Sequence, residues 1–122
     1  MVELIWDDHG LVRRMTGVVN ADQLDQSAKT LQGDARIDDL RYIIHDFSAC
    51  TDVTLSADDI ENMAVRACFA LKKNPRVKIA FVSKHPSVHA LAHAFNNAGI
   101  SKHYSSIFDS IESAKKFVAG KN

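Results

Sequence analysis

The sequence predicts a single α/β domain built on a mixed sheet, and three observations carry that expectation. Short apolar runs suited to strands alternate with amphipathic stretches of helical spacing. The alternation starts only after two extended segments separated by the turn-rich tetrapeptide Asp7-Asp8-His9-Gly10, so the chain opens with a hairpin. Its 122 residues sit near the modal domain size of roughly 100–150, and no linker, repeat or low-complexity tract divides them, so residues 1–122 read as one domain.

The hairpin strands are residues 2–6 and 11–19. Arg13 and Arg14 lie in the middle of the second, which favours a strand with a solvated side. Asn20 followed by Gln23 has the form of a capping box, and Leu24, Ala28 and Leu31 keep helical spacing until Gly33, a residue suited to a left-handed stop. Residues 40–47, with Tyr42-Ile43-Ile44, suit a buried central strand. A polar connection over residues 48–55 then leads to a second helix starting at Ser56. Asp58 and Asp59 fall in its first turn and Lys72 and Lys73 in its expected last turn, as the helix dipole favours, and Pro75 closes it. Residues 77–82 form a strand too apolar to have a wet face. Pro86 fits the first turn of a third helix, striped by Val88, Leu91, Ala92 and Phe95 and ended by Gly99. A last strand, residues 104–108, precedes a final helix expected to be capped by Asp109 with Glu112, to carry Ile111, Ala114 and Val118, and to stop at Gly120. The order is β-β-α-β-α-β-α-β-α, the later strands parallel and joined by right-handed crossovers, with the helices packed on the sheet.

Composition narrows the function. Lys plus Arg and Asp plus Glu both number 15, so the basic surplus that phosphate neutralisation demands of a nucleic-acid binder is missing. The cluster Lys72, Lys73, Arg76 and Lys78 reads as solvated charge at a helix end and strand edge. No apolar run approaches the about 20 residues of a membrane span, and the first residues lack the basic start and apolar stretch of a signal peptide. Cys50 and Cys68 do not form a disulfide framework, and a reducing cytoplasm is the expected location. A formal net charge of zero sets little long-range repulsion against self-association.

The element order, the strand ending Ile44-His45-Asp46-Phe47-Ser48, and the polar stretch leading into a helix at Ser56 together resemble the SpoIIAA-like branch of the STAS superfamily. That superfamily includes anti-sigma factor antagonists and the cytosolic domains of anion transporters. The similarity extends from about Val2 to Val118. It implies a regulatory module, without cofactor or catalysis, that docks on a protein partner through residues 48–56, with Thr51, Thr54 and Ser56, and through the second helix. It also implies phosphorylation of a hydroxyl near the start of that helix, where Thr54 and Ser56 are the nearest. This chain lacks the family's Asp-Ser-Ser-Gly, and a phosphate there would be repelled by Asp58 and Asp59. The residues themselves favour Ser56 as an N-cap answered by Asp59, worth about 1 kcal/mol. SpoIIAA-like folds also resemble the lipid-binding Sec14 type. That likeness implies an alternative, a carrier or sensor of a small apolar ligand held between the sheet and the second and third helices by Met63, Phe69, Leu91 and Phe95.

Other constellations give weaker signals. His85, His89 and His93 recur every fourth residue along the third helix, a spacing that suits zinc. Ala90 stands where a metalloprotease helix carries its Glu, however, and no further ligand lies near in sequence, so no metal site is expected. Cys68 belongs to the apolar stripe of the second helix. Cys50 lies in the polar connection, where His45 is a conceivable base although it sits within the strand, and Asp46 and Asp52 would raise the thiol pKa, so no catalytic thiol is expected. The glycines are scattered and build no phosphate-binding loop. In the second helix the stripe is Ile60, Met63, Ala64, Ala67, Cys68 and Leu71, yet Val65 and Phe69 make another apolar pair well round the cylinder. Two readings stand: a contact with a partner, either a different protein or another copy of this chain, and an apolar pair that meets a neighbouring helix or is simply exposed.

Overall fold

The computed structural model describes residues 1–98 and 105–120. Its elements run β1 (Val2–Trp6), β2 (Gly10–Asn20), α1 (Ala21–Gln32), β3 (Tyr42–Thr54), α2 (Ala57–Ala70), β4 (Lys78–Val82), α3 (Pro86–Asn97), β5 (Ser105–Phe108) and α4 (Ile111–Val118). The expected order is therefore found, with one addition, a short 3₁₀ helix at Ala35–Asp39. Asp34 caps it by accepting from the backbone N–H of Arg36. The chain thus continues from α1 into another helical turn, and Gly33 keeps a right-handed φ of −81° instead of the left-handed stop that was expected.

The strands lie in the order β1-β2-β3-β4-β5. Only β1 is antiparallel to its neighbour. Because β2 to β5 succeed one another across the sheet without reversal, connections of one hand bring α1, α2 and α3 to the same face. The α4 helix leaves the last strand and covers the opposite face. The larger core lies under α1–α3 and includes Leu11, Met15, Leu24, Ile43, Ile79, Val88 and Phe95. A smaller one, Ile44, Ala80, Val82 and Ala114, lies under α4.

Two glycines answer specific demands. The Tyr42 ring occupies the space where a Cβ on Gly10 would stand, and its hydroxyl donates to Asp7 in the hairpin turn. Gly17 has φ +73° beside a register shift between β2 and β3, the left-handed bulge position that disfavours a side chain.

Several boundaries differ from expectation. Lys72 and Lys73 lie beyond α2, whose cap is Leu71. The start of α4 is capped by Ser110, which accepts from Ser113 N–H at 3.2 Å, and not by Asp109. Gly99 and Tyr104 fall outside the described residues. The largest difference is β3. Residues 48–54, expected as a polar connection, continue the strand, because β2 stays alongside as a parallel partner, through two register shifts, as far as Asn20↔Thr54. Polarity there reflects solvent on the strand's faces and not a break in pairing.

Candidate functional site

The β3 extension outruns its other neighbour. Pairing with β4 ends at Asp46↔Val82, whereas pairing with β2 runs on to Thr54. From residue 47 onward β3 therefore has a strand partner on one side only among the described residues. Ser48, Ala49, Thr51, Asp52 and Thr54 are exposed along this overhang, while Val53 is buried and anchors it. Val18 of β2 lies opposite Asp52 and is 61% exposed, an apolar side chain beside the overhang that the sequence did not mark.

Ser56 closes the overhang as the N-cap of α2. Its Oγ accepts from Asp59 N–H at 3.0 Å and its own N–H donates to Asp59 Oδ2 at 2.9 Å, so both members of the box are engaged. The start of α3 is tied to the same edge. His85 Nδ1 accepts from Ser87 N–H, and its Nε2 stands 3.2 Å from Asp52 Oδ1. Between them lies an open hollow bordered by Phe47, Ser48, Cys50, Lys84, His85 and Asp109. Burial pushes the Cys50 thiol upward, with Asp46 adding to the effect, so the nucleophilic thiolate is suppressed.

The three spaced histidines separate in role. His85 caps α3, His89 Nε2 lies 3.2 Å from the Ser83 carbonyl, and His93 is exposed. Among the described residues no group of three or more potential metal-binding side chains converges. On α2, Val65 is half-buried and Phe69 is 58% exposed beside the bend after α1.

A cavity of about 160 Å³ lies between the sheet and α1–α3. Its floor is Arg13, His45, Phe47 and Phe81 from the strands. Apolar side chains make up much of its walls, Leu24 and Ala28 on one side and Met63, Ala64 and Ala67 on another, with Asp25, Lys29, Gln32 and Arg66 completing the lining. Leu91 and Phe95 close it from α3. Met63, Leu91 and Phe95 thus line one space, but Phe69 faces outward and does not line it. The reason is angular: Phe69 lies well round α2 from Met63 and Ala67, as its spacing requires.

Of the two arginines in the middle of β2, Arg14 meets solvent, giving the strand the solvated side expected of it, whereas Arg13 is buried. Leu11, Arg13 and Met15 alternate onto the core face of β2, so the period of the strand carried this information. The Arg13 Nε donates to Ser27 Oγ at 2.9 Å, and Nη2 donates to the Leu24 carbonyl at 2.6 Å and also to Ser27. Asp25, at the mouth, pairs with Arg66 at 3.3 Å. Burial pulls the Arg13 pKa down to about 10, which Asp25 only partly offsets. Beside it the His45 ring stacks on Phe81 at 4.9 Å. Burial, and then the charge of Arg13, hold His45 down at about 3, and its Nδ1 has no hydrogen-bond partner among the described residues.

This architecture is shared with known structures. The unphosphorylated form of the anti-sigma factor antagonist SpoIIAA aligns with a TM-score of 0.66 at 14% identity, covering 100% of this chain and 99% of that one. An uncharacterized DUF3478-family protein with a SpoIIAA-like fold, from Shewanella loihica PV-4, aligns with a TM-score of 0.57 at 11% identity, over 97% and 92% of the two chains. The chain therefore has the SpoIIAA-like fold. No family model and no curated protein matches its sequence.

Proposed function

We propose that this chain is a non-catalytic regulatory module that docks on a protein partner through the β3 overhang and α2. The observation that carries this reading is the half-paired overhang itself. A strand with one open side offers main-chain donors and acceptors to an incoming segment, and the exposed Thr51 and Thr54 beside Val18 supply side chains for selectivity. The fold shared with an anti-sigma factor antagonist supports it. Ser56 belongs to the surface as the cap that fixes where α2 begins, and Thr54 is the more accessible hydroxyl for phosphorylation because no bond of the capping box restrains it. Val65 and Phe69 extend the surface along α2, toward a partner or a second copy.

The test uses affinity capture from the native host with wild type, Thr51→Lys and a Val65→Asp/Phe69→Asp double variant, each checked for folding. A partner retained by wild type and lost from both variants supports the surface; one held equally by all three sinks it. In parallel, light scattering of purified protein reads self-association, which the double variant should abolish.

A second reading is favoured by one observation, the cavity under α1 and α2. In that reading the chain carries or senses a small apolar ligand held by Met63, Leu91 and Phe95.

A further inference from the structure

We infer that the cavity between the sheet and helices α1–α3 receives a small carboxylic acid with an apolar body, its carboxylate bound by the Arg13 guanidinium. The inference rests on the reading that this cavity takes a ligand, and it adds the chemical class.

Size sets the first limit. About 160 Å³ is close to the roughly 150 Å³ of an engineered apolar cavity that holds one benzene ring. A single aromatic ring or a short branched chain fits such a space, and a long acyl tail does not. The walls set the second limit, because Leu24, Met63 and Phe95 offer apolar contact and no hydrogen bonds from their side chains.

Charge sets the third. A buried guanidinium ordinarily faces a carboxylate, since desolvating a lone charge is costly. Arg13 instead spends Nε and Nη2 on Ser27 Oγ and the Leu24 carbonyl, both neutral, and its Nη1 donors make no hydrogen bond among the described residues. Asp25, which contributes the attractive field, is itself paired with Arg66. The floor of the cavity thus holds a cation with free donors and no anion in contact. At the mouth, the positive charges of Lys29 and Arg66 outnumber the single negative charge of Asp25, so an approaching anion is drawn in. The two N–H groups left on Nη1 can donate charge-assisted hydrogen bonds to a carboxylate oxygen. A phosphate dianion would leave further oxygens against apolar walls.

Phenylacetate is the probe, and phenylacetamide, nearly the same shape without the charge, is its control. Binding is measured by calorimetry and by NMR shifts of the Met63 methyl and the Ala67 amide. Wild type is expected to bind phenylacetate at least about tenfold more tightly than the amide. Arg13→Met should remove that preference, and Ala67→Phe, which fills the cavity from α2, should remove binding of both compounds. Equal affinity for acid and amide overturns the carboxylate while leaving an apolar cavity site. No binding of either overturns the cavity reading as well, and binding that survives Ala67→Phe moves the site elsewhere and sinks the proposal. If Arg13→Met loses its fold, the acid-to-amide ratio of wild type alone decides the role of charge.

Discussion

Beneath α4, Ile44, Ala80, Val82 and Ala114 are all fully buried and form a small closed core with Val12, Ile111, Phe117 and Val118. Beneath α1–α3 the core contains many more buried residues, yet it leaves a cavity and holds the buried Arg13 guanidinium beside the half-buried His45 ring. The contrast follows from how many elements must meet. A single short helix laid on a sheet can be filled by a few well-chosen side chains. Three helices that converge over one face leave a gap where α1 and α2 touch only sparingly. The lesson is that the larger core has slack to hold polar groups, whereas the smaller one has none.

The largest expected effect tests that difference by truncation. Ile44→Ala opens a hole in a core with little capacity to collapse and should cost about 2–5 kcal/mol. Met63→Ala, which widens an existing cavity from a half-buried position, should cost less than half as much. Urea unfolding of both variants measures this. Equal losses would mean that the two faces are packed alike.

The second effect belongs to the cavity face alone and appears as a pH dependence. His45 is held near 3 in the folded chain against about 6.5 unfolded, so between those values the unfolded chain binds the extra proton. Stability should therefore rise with pH through that window, with a contribution of up to about 1.4 kcal/mol per pH unit from this residue. His45→Phe should flatten the part of the profile that His45 contributes, and subtracting the two profiles separates it from the carboxylates that titrate in the same range. An unchanged difference across pH 4–7 would show that the ring protonates freely in place.

Third, addition should discriminate where truncation did. Ala80→Leu pushes new methyl groups into the α4 core and should cost about 1–3 kcal/mol, whereas Ala67→Leu projects into open cavity space and should cost less than about 1 kcal/mol or stabilise. Thermal unfolding compares them directly.

Much of the fold was legible in the sequence, and the limits of that reading have physical causes. Element order was readable because capping signals such as Asn20 with Gln23 and Ser56 with Asp59 are local, and both boxes form. The 48–54 overhang was not, since a polar stretch becomes a strand only if a neighbour continues beside it, and β2 does so as far as Asn20. Burial of Arg13 was available in the alternation Leu11-Arg13-Met15, but charge argued against it, and only the Ser27 and Leu24 acceptors on α1 explain how the face tolerates it. The orientation of Phe69 followed from helical spacing, while the cavity it was expected to line depends on how closely α1 approaches α2, which no local pattern encodes.

The smallest expected effect asks whether the buried cation contributes to folding. Arg13→Met keeps an unbranched apolar stem of similar reach and removes the charge. The groups it abandons are not orphaned, because Ser27 Oγ already donates to the Leu24 carbonyl at 3.0 Å. With desolvation of the charge relieved and no buried acceptor left empty, stability should stay within about 1 kcal/mol of wild type, or rise. Chemical unfolding at neutral pH without ligand reads this. A loss of 3 kcal/mol or more, on the order expected when a buried ionic network is broken, would mean that Arg13 is part of the scaffold, and the tolerance claimed for the larger core would fail at its most demanding residue.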